Sequence, residues 1–414
     1  MQPKNEIIGR LFRQQAGKMA SILIGKFGFQ HAELIEDAIQ DTFVAALKVW
    51  GMKGVPEHPE AWLMKVAKHK TINELRKKGR HKELNKEWKI TKEEDVQLNN
   101  ESFTDKTLVH IKALFGCCNP LLPPKSQIMI TLKYVCGFGD KEIARALFME
   151  QAAVRKAIYR AKNVLREHQN FLLELSTQEL KQRLPIVEKV LYLMFNEGYS
   201  TTKSDAVFDA DLSFEALRLT DWILETENLS DASTQALYAL MLFQFSRYEA
   251  RCDKNGIPLS IEEQDREMWN KQVIRKGLFH QKKSRETEKL SRYHIESGIA
   301  SIHSTASSYN DTNWDQIITL YRQLLTFDDS VSVRTNLAIA LCEQGEIEES
   351  LNLLHLLVKY EQKNNSVIYA SIGRVYSKSG EIEKAISSYN LAKKHCSTRY
   401  ERAFIDKKLL ELTY

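Results

Sequence analysis

Basic side chains set at helical spacing carry the chemistry most visible in this chain. Over residues 61–80, Lys65, Lys68, His69, Lys70, Asn73 and Arg76 can share one side of a helix while Leu63, Val66, Ala67 and Ile72 pack on the other. Lysine and arginine neutralise phosphates, and Asn and His add hydrogen bonds, so this face suits a nucleic-acid backbone or exposed bases. Between positions 65 and 89 ten Lys/Arg stand against Glu74, Glu83 and Glu87, a local asymmetry that marks a polyanionic partner. Further along, Val154, Ile158, Ala161 and Leu165 fall at i, i+4, i+7 and i+11 and give one buried stripe. Gln151 opens that helix, and Arg155, Lys156, Tyr159, Arg160, Lys162 and Arg166 occupy the rest of it. Upstream, Ile143, Ala144 and Leu147 form the packing face of a first helix, and Phe148-Met149-Glu150 is a three-residue turn. A helix delivered this way can lie in a major groove, its N-terminal residues at base edges and its basic flanks on phosphates. The turn lacks the glycine often found in helix-turn-helix units.

Nothing in the chain has the spacing of a catalytic site, so no catalytic residue and no enzyme activity are expected. The histidines are dispersed, with no His-x-x-x-His helix, no Gly-x-Ser-x-Gly and no phosphate-cradling glycine loop. The six cysteines are scattered without metal-type spacing, which points to no metal site, no cofactor and reduced thiols in a cytoplasm. Cys117-Cys118, followed by Asn119-Pro120, reads as packing rather than a redox sensor, because no basic neighbour is evident to lower a thiol pKa. No apolar run follows the N-terminus and no window approaches 18 uninterrupted apolar residues, so neither export nor a membrane partner is expected.

The elements that must position these groups are helical almost throughout, and the expected fold class is all-α. A length of 414 residues calls for two to four domains, and 43% hydrophobic with 27% charged residues fits a globular chain. The net charge of +5 is modest, so its distribution carries the argument. Around residues 33–50, Leu34, Ile35, Ala38, Ile39, Thr42, Phe43, Ala46 and Leu47 form one face with Glu33, Glu36, Asp37 and Asp41 opposite. Pro56 and Pro59 break the chain before the basic helix, with Trp62 read as a core anchor for it in preference to a base-stacking ring. Residues 81–106 lose periodicity and read as a linker. A second unit spans 107–170, with helices expected at 126–136, 140–147 and from 151. A third, 178–282, has helices near 186–195, 212–224 and 234–246, with Asn196-Glu197-Gly198-Tyr199 read as a loop after a Gly-terminated helix. In residues 285–414, Gln344-Gly345-Glu346-Ile347-Glu348-Glu349-Ser350-Leu351 matches Ser379-Gly380-Glu381-Ile382-Glu383-Lys384-Ala385-Ile386 at an offset of 35, with a fainter copy around 314–326. That period fits tetratricopeptide-like helical hairpins.

Glu36-Asp37-Ala38-Ile39-Gln40-Asp41-Thr42-Phe43, with the stretch from Pro59 to Arg76, resembles region 2 of bacterial sigma-70-type factors of the extracytoplasmic-function group. Residues 121–166, with Glu142-Ile143-Ala144 and Val154…Arg160-Ala161-Lys162, resemble region 4. Phe115-Gly116-Cys117-Cys118-Asn119-Pro120 and the segment from Leu191 to Ser200 are similar to motifs of the subgroup with a long C-terminal extension bearing tetratricopeptide-like helices. The resemblance implies a region 2 helical bundle (1–80), the linker, a region 4 helix-turn-helix domain (107–170) and a C-terminal helical extension. It implies core RNA polymerase and promoter DNA as partners. The helix bearing Asp37, Gln40, Asp41 and Phe43 would dock on the polymerase, Lys65, Lys68, His69, Asn73 and Arg76 would read and help melt the −10 element, and Gln151, Arg155, Lys156 and Arg160 would contact the −35 element. The flanking Tyr159 and Lys162 join the DNA-contact candidates.

The expected function is therefore promoter-specific transcription initiation with core polymerase. The extension is expected to regulate it, by covering the DNA surfaces or stabilising the holoenzyme, with a regulatory protein as a further partner because stacked hairpins build concave binding surfaces. Two rivals stand: a helix-turn-helix regulator acting without core polymerase, which has no need of the acidic helix at 33–49, and a helical scaffold whose basic faces are merely solvated.

Overall fold

The computed structural model describes residues 4–77, 103–167, 175–200, 208–286, 289–360 and 365–413. Most of the expected linker, residues 81–102, lies outside the described residues. The described chain is helical, with no strand beyond one isolated bridge between Cys252 and Pro258. Among the described residues no helix is long and apolar enough to cross a membrane. The chain divides into two compact units: Met1–Gly198 with Phe214–Leu219, and Tyr199–Ser213 with Thr220–Tyr414.

The first unit opens with α1 (Lys4–Phe27), α2 (Ala32–Lys53) and α3 (Pro59–Lys77). On α2 the expected stripe of Leu34, Ile35, Ala38, Ile39, Thr42, Phe43 and Ala46 is buried, Thr42 returning its hydroxyl to the Ala38 carbonyl at 2.7 Å. Leu47 departs from expectation at 45% exposed, and Trp50 closes the stripe instead. On α3 the buried positions are Leu63, Ala67, Thr71 and Leu75, one per turn, while Val66 and Ile72 are only half-buried. Trp62 is half-buried rather than in the core, its ring 5.3 Å from that of Trp50.

The same unit continues with α4 (Phe103–Cys117), α5 (Pro124–Tyr134), α6 (Asp140–Ala146), α7 (Gln151–Glu167) and α8 (Thr177–Tyr199). The two modules expected as separate domains thus share one packed body. The Phe29 and Tyr134 rings meet edge to face at 5.2 Å. Gly17 of α1 lies so close to the turn after α5 that a Cβ there would stand 2.4 Å from the Val135 carbonyl oxygen. Any larger residue at 17 would push these helices apart.

The expected loop at 196–199 is a correction: α8 runs on through Tyr199, with Pro185 inside it and Glu197 and Gly198 buried. Gly198 is packed inside this helix rather than ending it before position 196. Cys117, Cys118 and Cys136 are fully buried and unbridged, and burial pushes the Cys118 thiol up to about 12. Thiols so held are inert, as expected of packing residues.

The second unit holds most of α9 (Ala210–Glu225), then α10 (Ala232–Phe245), α11 (Lys271–Ser284) and α12 (Arg292–Thr305). Gly277 lets α11 lie on the Phe243 ring of α10, where an added Cβ would fall 2.8 Å from it. Then come α13 (Trp314–Leu324), α14 (Val331–Gln344), α15 (Ile347–Tyr360), α16 (Ser366–Lys378), α17 (Ile382–Lys394) and α18 (Arg399–Glu411). The 35-residue repeat is real in three dimensions. Gly345 and Gly380 both take positive φ, 98° and 81°, at the ends of α14 and α16. Ser350 and Ala385, also 35 apart, are both fully buried where the second helix of each hairpin crosses the first.

Candidate nucleic-acid interface

The helix-turn-helix forms from α6, a short turn and α7. Glu142 caps α6 by accepting the Gly139 N–H at 2.7 Å. At the other end of α6 the Phe148 N–H donates to the Arg145 carbonyl at 3.2 Å and the Met149 N–H to the Ala144 carbonyl at 2.8 Å. This pair of bonds closes the helix with one left-handed residue, and that residue is Phe148 at φ 52°. A non-glycine side chain there costs about 1 kcal/mol. The Phe148 ring is nevertheless 97% exposed.

On α7 the expected stripe of Val154, Ile158, Ala161 and Leu165 is buried. Gln151, Arg155, Lys156, Tyr159 and Arg160 are exposed, as a phosphate- and base-contacting face requires. Arg155 lies 3.4 Å from Asp140, a surface pair that competing phosphates can replace. Lys162 differs from the rest. It is buried, with its ammonium on the carboxylate of Glu33 of α2 and 5.4 Å from the centre of the Tyr159 ring. Lys162 lies at the edge of the buried stripe, between that stripe and Arg155, and there it braces α7 against α2 while Arg155 and Arg160 project into solvent. Burial and the nearby Arg166 lower its pKa. Beside it, Lys133 of α5 bridges Glu36 at 2.9 Å and Asp140 at 3.3 Å; burial opposes its charge, but the two carboxylates outweigh it and hold the pKa above the ordinary lysine value.

On α3, Lys65, His69, Asn73 and Arg76 are exposed and Lys68 is half-buried, so the five expected contacts share the solvent side of one helix. Lys70 leans toward Asp41 at 3.9 Å. On α2, Asp37, Gln40 and Asp41 are exposed, but Phe43 is a core residue, 5% exposed with its ring 4.9 Å from Phe12. The apolar positions that do face outward on this helix are Val44 and Leu47, at 49% and 45% exposure. They continue the Asp37–Gln40 line at helical spacing, a signal present in the sequence but masked by grouping Leu47 with the core.

A further cluster joins residues far apart in the chain. Glu215 of α9 is 3.1 Å from Lys18 of α1, takes two bonds from Arg218 at 2.7 and 2.8 Å, and has His110 of α4 at 3.9 Å. Burial opposes ionisation of Glu215, yet the Arg218 bonds and the Lys18 charge hold its carboxyl at about 2. Burial also pushes His110 down to about 4, so its ring is neutral near pH 7. Arg183 of α8 adds a bond to the Phe115 carbonyl at 3.0 Å. Residues beyond position 175 therefore help hold α1 and α4 in the first unit.

Residues 12–81 match the model of sigma-70 region 2, and residues 115–165 that of sigma-70 region 4. The basic face of α3 and the helix-turn-helix thus fall in the two matched segments. This chain belongs to the sigma-70 family, as a factor of the extracytoplasmic-function group with a C-terminal extension. Within that extension of the sigma factor, residues 183–285 match a family of unknown function (DUF6596). An uncharacterized protein of Rhizobium meliloti is 32% identical over 335 residues, covering 80% of this chain and 78% of its own. No solved structure matches the chain.

Proposed function

We propose that this sigma factor loads on core RNA polymerase through the exposed face of α2, holds the melted −10 strand with Lys65, Lys68, His69, Asn73 and Arg76, and reads the −35 element with Gln151, Arg155, Lys156, Tyr159 and Arg160. The observation that carries the reading is the solvent-facing basic side of α7, delivered by a helix-turn-helix in the same unit as the basic face of α3. The polymerase partner does the chemistry, and binding free energy here goes into positioning the duplex and holding separated strands. Lys162 is better placed as a brace than as a DNA contact. The acidic side of α2 favours this reading over a regulator that acts without polymerase.

The extension regulates the same surfaces. Support comes from the Glu215 cluster, which ties part of α9 to α1 and α4, and from the Lys162–Glu33 and Lys133–Glu36 pairs, which hold region 4 against α2. Promoter engagement at two spaced elements requires that packing to loosen. The C-terminal hairpins add a cleft of about 400 Å³, lined by Tyr309, Trp314, Tyr321, Arg374, Tyr389 and Phe404, that suits a protein partner. In vitro transcription by core polymerase with the full chain, mapped over a genomic template, tests the main reading. Defined start sites that vanish on Arg155→Ala/Arg160→Ala are expected. Failure to direct initiation anywhere rejects it.

A further inference from the structure

We propose that Phe148 contacts bases in the promoter complex, its ring meeting the C5-methyl group of a thymine at the major-groove edge of the −35 element. The inference rests on reading α7 as the helix that enters that groove. Among the described residues Phe148 is the most exposed of the large hydrophobic side chains. It also sits where the backbone disfavours any side chain. Among the described residues three helices end in the same pair of hydrogen bonds: Met149 to Ala144 and Phe148 to Arg145, Glu346 to Leu341 and Gly345 to Cys342, Glu381 to Tyr376 and Gly380 to Ser377. At two of them the left-handed position is glycine, at φ 98° and 81°; at the third it is Phe148, at φ 52°. The one other described non-glycine residue with positive φ is Asn228, a type that tolerates the conformation.

A strained backbone under a ring that the fold does not bury points to a contact outside the fold. The ring's place selects the contact. It opens the three-residue turn that leads into the N-terminus of α7, the end whose residues reach base edges when a recognition helix docks, and exposed Gln151, Ala152 and Arg155 follow that turn. A phenyl ring has no hydrogen bond to offer there. The apolar group that the major groove presents is the thymine methyl.

The test uses the full chain on core polymerase and a promoter duplex selected from a randomised pool by that holoenzyme. Each thymine of its −35 element is replaced in turn by deoxyuridine, which lacks only the methyl. At one position the replacement is expected to weaken wild-type binding about fourfold, the worth of burying one methyl-sized group. In Phe148→Gly the same replacement should cost nothing. That variant should bind the thymine duplex more weakly by a similar factor, keep the wild-type salt slope because no charge is lost, and melt at a higher temperature. Phe148→Asn, also compatible with the left-handed backbone, should repeat the binding result. Equal deoxyuridine costs in wild type and variants, or no cost at any thymine, overturn the proposal, as does a variant that loses affinity for core polymerase alone. Arg155→Ala separates the two levels. If it lowers affinity and salt slope while Phe148→Gly changes nothing, the inference fails and the reading of α7 stands. If Arg155→Ala is also silent, both fall.

Discussion

Replacing Glu215 by Gln removes one negative charge from a site that holds the cations of Lys18 and Arg218 and the neutral ring of His110. The folded unit holds the Glu215 carboxyl at about 2 against an ordinary 4.5, so it prefers the ionised form. That difference corresponds to about 3 kcal/mol, at about 1.4 kcal/mol per pKa unit. The value agrees with the roughly 3–5 kcal/mol typical of breaking a buried ion pair by removing one partner. For a unit of this size it lowers Tm by about 10 °C at pH 7. The acid profile gives the sharper reading. A carboxyl depressed on folding contributes stability in full above its unfolded pKa, and that contribution is lost as pH falls from about 4.5 toward 2. His110, lowered from 6.5 to about 4, behaves likewise at higher pH: its neutral burial stabilises above 6.5, and the gain drains away as pH falls from 6.5 to about 4. Thermal or urea unfolding of wild type between pH 7.5 and 3 should therefore show a two-stage loss. Glu215→Gln should start lower, keep the His110 stage and lack the one below pH 4.5. An unchanged Tm at pH 7 with an unchanged acid limb would refute the electrostatic account of this cluster.

Two other perturbations have opposite expected consequences for DNA and for stability. Lys162→Ala should leave the salt dependence of promoter binding as in wild type; a slope reduced by about 0.9, the signature of one lost phosphate contact, would return Lys162 to the DNA face. In a double-mutant cycle with Glu33→Ala its coupling should stay below about 1 kcal/mol, because the Glu33 side chain is 72% exposed and solvent screens the pair. Gly345→Ala and Gly380→Ala should each destabilise the C-terminal hairpins by about 1 kcal/mol, read by chemical denaturation, since both glycines have positive φ although an added Cβ would meet nothing within 4 Å. A neutral result at both would show that these helix ends relax at no cost.

Much of the architecture was legible in the residues themselves. The i, i+4, i+7, i+11 stripe of α7, the buried stripe of α2 from Leu34 to Ala46 and the 35-residue repeat around Gly345 and Gly380 all rest on local periodicity. Helical geometry turns such spacing into a face without reference to anything distant. The exposure of Lys65, His69, Asn73, Arg155 and Arg160 followed for the same reason. Local pattern misled at two places: Leu47, grouped with the core, is exposed, and α8 ran through Gly198.

What the sequence by itself determined is which helices form, which side of each is apolar, and where positive charge gathers. Tertiary structure alone decided that Lys162 turns to Glu33, that Gly17 admits the turn after α5, and that Lys18, His110 and Glu215 converge from positions nearly 200 residues apart. The physical reason is range. Periodicity and capping act within a few turns of one helix, whereas burial of a charge becomes tolerable only once a partner from another part of the chain has been packed beside it.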